Sequence, residues 1–409
     1  MKTTKMGLRQ IPRQFSQLRS RVQILSILSL AFIVRGVYWL IAPEANASDS
    51  AQFLQAAQGI LTGEFTTFFI EFPLHKIYPI LLLPAYIIPD GFTRYIPLLH
   101  ISLSSLVVVF LFLINHEITQ DYRAQILTAL VAIFYPLLLF WMKFILTEAI
   151  FIPILTIYVY LTVRLMKRHN YKLALLWILV AALLILSRPV SLSVVILSAV
   201  ALLAIWLQEK FPHQWKLFLG ITLIVGIIFF IGLISISGIR NKIFRVPTVA
   251  QSLWLSTQVV KGTHEEYAAA ASALENVDIG MGDLWDYKIN FAIEFIQTQP
   301  LKYSWMAVER FFNYYYPWVY PQWSIKHRLL DAVLSLGLTI TVIASFKAPS
   351  NKRVIVLLVS YALALGLTTA FTQIDTEARY RLPAEVLLLP AACSGGYYIL
   401  EYLKEWQFK

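Results

Sequence analysis

Apolar residues run along this chain in long stretches, without the polar interruptions that a water-facing surface requires. Ten of these stretches approach the ~20 residues with which an α-helix crosses the hydrocarbon core of a bilayer. They are 23–42, 98–114, 126–141, 149–165, 173–186, 192–207, 217–236, 329–346, 354–371 and 384–402. The pattern predicts an all-α polytopic membrane protein with about ten transmembrane helices, within a range of nine to twelve.

A shorter apolar piece, 77–88, contains Pro79 and Pro84 and is followed by Pro89. Proline removes a backbone donor and clashes with the preceding turn of a helix, and the piece is too short to span a bilayer. We therefore expect it to dip into the interface without crossing.

A second short helix is predicted over 48–63, where Ser48 or Asp49 is a suitable N-cap and Gly63 a suitable stop. Apolar residues recur on one face of this segment, as in a helix that lies on the membrane surface. The residues of this face are Phe53, Leu54, Ala57 and Leu61.

Basic residues follow every second predicted span, which orients the chain because cytoplasmic loops are enriched in lysine and arginine. Clusters follow the second, fourth, sixth, eighth and tenth spans, and six more cations precede the first span. The N-terminus is therefore predicted to be cytoplasmic. The order divides the chain into a transmembrane module over 1–236, a small exoplasmic cap over 237–328 and C-terminal transmembrane helices over 329–409. The first exoplasmic loop of the module is 43–76.

The composition also indicates a membrane protein. The chain is 58% hydrophobic and 14% charged, with a mean hydropathy of +0.66. The net charge of +11 is attributed partly to loops that face anionic lipid, and no nucleic-acid partner is predicted. The single cysteine, Cys393, excludes an intramolecular disulfide and a cysteine-based metal cluster. A bacterial inner membrane is the expected location.

The predicted exoplasmic side nevertheless carries cations close to the helix ends. Snorkelling toward lipid headgroups explains single residues, but the set as a whole predicts an anion site at the membrane surface. These cations are Lys143, Arg188, Arg240, Lys242, Arg245, Arg310, Lys326, Arg328, Arg379 and Arg381.

Two carboxylates on the same side are candidates for catalysis. Asp49 opens the first loop helix and Glu148 opens the fourth span, and each is equally explained as an ordinary helix-start acid. Arg35 lies inside the first span, where a charge is costly unless paired, so we expect it to meet a carboxylate or a lipid phosphate.

The order of these motifs resembles the GT-C superfamily of membrane glycosyltransferases, and within it the protein O-mannosyltransferase and aminoarabinose-transferase-like, family 39-like group. The resemblance covers nearly the whole chain. The dip lacks the Lys-Pro-Pro of some members, and the large exoplasmic segment is short. The matching residues are Asp49 with Phe53, Ala56 and Gly63; Pro73 to Pro79; Leu146-Thr147-Glu148; Ser187-Arg188-Pro189; Arg240-Asn241 with Ser256-Thr257 and Lys261-Gly262; and Arg379-Tyr380-Arg381-Leu382-Pro383.

The resemblance implies transfer of a sugar from a polyprenyl-phosphate donor to an acceptor hydroxyl on a glycan, lipid or protein, with inversion. Asp49 would be the general base and Glu148 would position the acceptor or the base. No cofactor is required; a divalent metal is possible, but no metal ligands are predicted. The expected donor and phosphate ligands are Arg379, Arg381, Arg240, Arg310, Arg188, Lys76, Arg35 and Tyr380.

Two other functions share the same membrane fold. A transporter or flippase of lipid-linked sugars would show internal repeats and polar residues near mid-membrane, whereas this chain shows no visible repeat and carries its polar load on one side. A non-enzymatic assembly subunit of the cell envelope would need neither Asp49 nor Glu148.

Overall fold

A computed structural model gives the arrangement of the chain. It describes residues 20–42, 48–64, 77–168, 170–214, 216, 220, 224, 247–260, 264–275, 284–315, 325–372 and 378–407. Within these residues the regular structure is entirely α-helical, in sixteen helices that we number in chain order. They are α1 (Ser20–Ile41), α2 (Ser48–Thr62), α3 (Ile77–Ile87), α4 (Gly91–Ile118), α5 (Tyr122–Phe134), α6 (Pro136–Trp141), α7 (Glu148–Leu165), α8 (Tyr171–Ser187), α9 (Ser191–Lys210), α10 (Pro247–Gln258), α11 (His264–Glu275), α12 (Leu284–Thr298), α13 (Pro300–Tyr315), α14 (Ile325–Ser345), α15 (Lys352–Thr372) and α16 (Ala378–Gln407).

The predicted spans are helical over nearly all of their described residues. Among the described residues, six helices are long and apolar enough to cross a membrane by length and composition, namely α1, α4, α7, α9, α15 and α16. The apolar helices α3, α5 and α8 and the apolar part of α14 are shorter. The chain is thus an all-α, multi-pass membrane protein. The predicted span 217–236 lies almost entirely outside the described residues.

The stretch 126–141, predicted to be one span, is two helices. Tyr135 has an extended backbone between α5 and α6, and Pro136 is the first residue of α6. Proline cannot donate the hydrogen bond that would continue α5, and it disfavours helical geometry at the residue before it. The break therefore follows from Pro136.

Arg35 of α1 satisfies the carbonyl groups at this break. Its guanidinium donates to the Ala132 and Ile133 carbonyls at 3.2 and 3.5 Å and to the Ser104 hydroxyl at 2.7 Å. The Ala132 carbonyl is the group that a residue other than Pro136 would have bonded. Arg35 thus meets one hydroxyl and two carbonyls, where the sequence predicted a carboxylate or a lipid phosphate.

The bundle has two ends with different polar contacts. At the first, which we call the Glu117 end, Glu117 pairs with Lys167 at 2.6 Å and Arg164 at 3.4 Å. There the Asn351 amide, in the α14–α15 turn, donates to the Ile118 carbonyl at 2.7 Å. The other, the Glu148 end, holds the start of α7 and the end of α8. The Glu117 end holds residues predicted to be cytoplasmic and the Glu148 end residues predicted to be exoplasmic, and this orientation stays a prediction.

Candidate functional site

A buried ion pair lies at the centre of the Glu148 end. The Arg188 guanidinium contacts the Glu148 carboxylate at 2.8 Å, and the two side chains are 7% and 3% exposed. Glu148 is the first residue of α7, where the helix dipole favours a negative charge. Arg188 caps the last turn of α8, its amide bonding the Leu184 carbonyl. Two helix ends thus bring the pair together.

Arg188 also lies against an aromatic ring that it shares with a second arginine. The Arg188 and Arg379 guanidinium carbons lie 5.0 and 4.9 Å from the centre of the Tyr380 ring. Arg379 donates to the Tyr380 hydroxyl at 3.1 Å, and the Tyr380 carbonyl accepts from Tyr314 at 2.7 Å. Two guanidinium groups thus lie against one aromatic ring, and guanidinium groups bind oxyanions through planar, bidentate hydrogen bonds.

Arg381, two residues further on, has different surroundings. It pairs with Asp331 of α14 and, at 2.5 Å, with Glu385 one turn along α16. Tyr135, at the α5–α6 break, donates to the same Glu385 carboxylate at 2.6 Å. All these side chains are buried. One guanidinium already meets two carboxylates here, so these contacts favour a structural role for Arg381.

Arg310 joins three segments of the chain. Its guanidinium donates to the carbonyls of Ser256 at 2.6 Å, Val259 at 3.0 Å and Ala370 at 2.6 Å. Its side chain is 1% exposed. These contacts also favour a structural role, in which Arg310 ties the end of α10 and helix α13 to α15.

Lys288 of α12 also contacts α10. Its ammonium contacts the Gln251 side-chain oxygen at 2.5 Å and lies 5.2 Å from the centre of a Trp254 ring. Burial lowers the pKa of Lys288 below its ordinary value, because an ammonium loses water there.

Helices α2 and α3 approach the Glu148 end through a chain of ring contacts. Phe53 packs edge-on against Tyr78, with ring centres 5.5 Å apart. The Tyr78 hydroxyl bonds His100 Nε2 at 2.9 Å, and His100 Nδ1 meets the Met142 carbonyl at 2.8 Å. His100 and Glu148 line one narrow cavity, which has room for a water molecule. Helix α2 is thereby linked through Phe53 to Glu148.

The predicted helix over 48–63 is confirmed, and Gly63 ends it with a positive φ of 80°. Its apolar face differs from the prediction. Phe53 and Ala57 are buried against protein, while Leu61 is exposed. The face thus docks partly on α3 and does not rest wholly on lipid.

Several predicted site residues fall where the structure gives no side-chain position. Asp49 is the second residue of α2, four positions or about one turn before Phe53, but its side chain lies outside the described part of the chain. Lys76 and Arg240 also lie outside it. Their predicted roles stay predictions.

Four polar residues of this end were missed by the sequence reasoning. They are His100, Tyr135, Asp331 and Glu385, and all but Tyr135 are ionisable groups inside stretches predicted to span the membrane. The rule that flagged Arg35, that an ionisable group in a span needs a partner, applies to these three as well. Glu385 has Arg381 one turn away on its own helix, but the other partners come from distant segments, which the sequence does not show.

Comparison with models of known protein families finds no match for this sequence, and comparison with curated proteins finds no significant match. The resemblance to membrane glycosyltransferases therefore rests on the residues quoted above. The function is argued below from the geometry of the Glu148 end.

Proposed function

We propose that this protein is a membrane-embedded glycosyltransferase that moves a sugar from a polyprenyl-phosphate carrier to an acceptor hydroxyl on the exoplasmic side. One observation carries the proposal: Arg188, held by the buried Glu148 carboxylate, shares the Tyr380 ring with Arg379. A lipid phosphate reaches the protein at the depth of such a site.

In this proposal Arg188 and Arg379 bind the phosphate and stabilise its charge as it leaves. Glu148 holds Arg188 in place, and Tyr380 orients both guanidinium groups. Arg35, Arg310 and Arg381 are fully buried and connect groups of the protein itself, so we assign them to the scaffold. Lys76 and Arg240 remain further candidate phosphate ligands.

Asp49 is the proposed general base. The acceptor oxygen bonds the anomeric carbon while the bond from that carbon to the phosphate oxygen breaks. The phosphate leaves with the bonding electron pair, and Asp49 takes the hydroxyl proton. Attack opposite the leaving phosphate inverts the anomeric centre. The link from α2 through Phe53, Tyr78 and His100 to Glu148 supports a base at the start of α2.

The test is transfer of radiolabelled sugar from polyprenyl-phosphate donors by the purified full-length protein in lipid. We expect Asp49→Asn to lose most turnover, roughly 100-fold or more, while carrier binding persists. We expect Arg379→Gln to weaken carrier binding as well as turnover.

Matched controls are Asp90→Asn and Arg94→Gln. Asp90 and Arg94 form an exposed ion pair, with side chains 63% and 76% exposed, at the start of α4. Both controls should keep wild-type activity. Full turnover by Asp49→Asn would remove Asp49 as the base. Carrier movement across the bilayer without sugar transfer by the wild type would instead identify a transporter.

A further inference from the structure

Helix α13 carries a stripe of large apolar side chains on its outer face. Leu301, Trp305, Val308 and Phe312 are 86%, 70%, 43% and 65% exposed. Their spacing of four, three and four residues places them on one side of the helix. Four neighbouring apolar side chains with this much exposed surface do not suit contact with water.

The face of α13 that meets the protein is buried and carries several hydrogen-bonding side chains. Arg310 donates to the Ala370 carbonyl at 2.6 Å, and Tyr303 donates to the Phe371 carbonyl at 2.7 Å. Tyr314 and Tyr315 make further hydrogen bonds to the Tyr380 and Ala362 carbonyls. These four side chains thus make their hydrogen bonds with the protein, while the apolar stripe faces outward, with Lys302 and Ser304 exposed near the shallow end of the helix. This arrangement suits a helix surrounded by lipid.

The C-terminal part of α13 reaches along α15, a helix long enough to span the membrane. The Tyr315 ring lies over Gly366, where an added Cβ would come within 2.8 Å of the ring. Gly366 precedes Thr372, the last residue of α15, by six positions, about 9 Å along the helix axis. From Tyr303 to Tyr315, α13 thus descends beside α15.

The outer surface of α15 is itself apolar at this level. Leu363, Leu367 and Phe371 are exposed at four-residue spacing, as expected for the lipid-facing side of a span. The stripe of α13 extends this lipid-facing surface sideways. Continuity with a predicted lipid contact identifies the partner of the stripe as the acyl chains of the bilayer.

We propose that α13 is a membrane-embedded helix that enters the exoplasmic leaflet without crossing it, with Leu301 shallowest and Phe312 deepest. Its 16 residues are too few to span a bilayer. The segment 237–328, predicted from sequence as a water-facing cap, would then be anchored in the membrane through α13. The proposal is independent of the glycosyltransferase function.

The test is spin labelling of the full-length protein in lipid, in a Cys393→Ala background. Labels replace Leu301, Trp305, Val308 and Phe312, and collision with oxygen is compared with collision with a water-soluble nickel chelate. Leu363→Cys on α15 gives the lipid reference, and Lys172→Cys, at the exposed start of α8, gives the water reference.

We expect the oxygen-to-nickel ratio to rise from position 301 to position 312 and to approach the Leu363 reference at 312. Lys302→Cys, on the adjacent face of the same helix, should stay closer to the water reference. Nickel access at all four stripe positions would show a water-facing cap and overturn the proposal. Exclusion of both reagents at the stripe would show a protein partner there and would overturn it equally.

Discussion

Three fully buried arginines act as cross-links between helices. Arg35 and Arg310 each engage groups from two other segments of the chain, and Arg381 pairs with Asp331 of α14 and with Glu385 of its own helix. A guanidinium has five donors in a fixed plane and stays charged at any physiological pH, so it satisfies several acceptors at once. The carbonyls at the Pro136 break and at the end of α10 are acceptors of this kind.

The buried Glu148–Arg188 pair should couple its two residues in the stability of the protein. Glu148→Gln should lower the free energy of unfolding by about 3–5 kcal/mol, because it leaves a buried guanidinium without its counter-charge. Arg188→Gln should cost a similar amount, and the double variant should cost clearly less than the sum. Thermal unfolding of the purified protein in detergent measures all three.

The control for this cycle is Glu401→Gln. Glu401 pairs with Lys404 at 2.7 Å, but the two side chains are 39% and 56% exposed. An exposed pair contributes no more than about 1 kcal/mol, so this variant should unfold close to the wild type. Additive costs of the two changes at Glu148 and Arg188 would mean that the pair is not coupled.

Single residues could be selected from the sequence more readily than their partners. A charge in an apolar stretch marked Arg35 and Glu148 as residues that need a partner. The partner of Arg35 depended on a helix break about a hundred residues away, and Arg188 meets Glu148 only after α7 and α8 pack. Neither contact produces a local pattern in the sequence.

Helices α14 and α16 approach each other closely at a glycine. The α14–α16 pair has the most extensive contact in the described chain. A Cβ on Gly395 would fall 1.8 Å from the Thr341 carbonyl oxygen of α14. Small residues of this kind let two membrane helices approach closely without a side chain between them.

Gly395→Ala should therefore destabilise the protein by at least about 1–3 kcal/mol, since backbone atoms of α14 have to move. Gly396→Ala is the matched control one residue away, where the added Cβ meets only the Thr341 methyl at 3.5 Å. Alanine is the better helix former by about 1 kcal/mol, so the control should be neutral or stabilising. Equal melting temperatures for the two variants would contradict the close approach.

Helix positions were largely predictable because apolar runs and prolines are local signals. The run 98–114 became the core of α4, and the short piece at Ile77 became α3. The break at Pro136 could have been predicted from the proline itself. The outward position of the apolar stripe on α13 could not have been predicted from the sequence. Only the packing of the other face against α15 shows which face points outward.

The two ends of the bundle are predicted to lie on opposite sides of the membrane. Lys172 follows α7 at the Glu117 end, and Arg94 lies at the start of α4 near the Glu148 end. Single cysteines at these positions, in a Cys393→Ala background, should react with an impermeant maleimide from opposite sides of the membrane. The positive-inside rule places Lys172 on the cytoplasmic side.

Intact cells and inverted vesicles separate the two outcomes. Labelling of Arg94→Cys in intact cells and of Lys172→Cys only in inverted vesicles is the expected result. Labelling of both from the same side would contradict the helix directions described above. Labelling in the reverse sense would keep the bundle but invert its orientation.

The contacts of Arg35 have a consequence for biosynthesis. The chain is made from its N-terminus, so α1 reaches the membrane with an unsatisfied guanidinium. The Ala132 carbonyl that it bonds is translated 97 residues later. An arginine at the centre of a lone helix costs about 3 kcal/mol on insertion scales. We expect α1 to stay at the insertion machinery until α5 has emerged, so that α1 reaches its final position only after helices that follow it in the chain have been made.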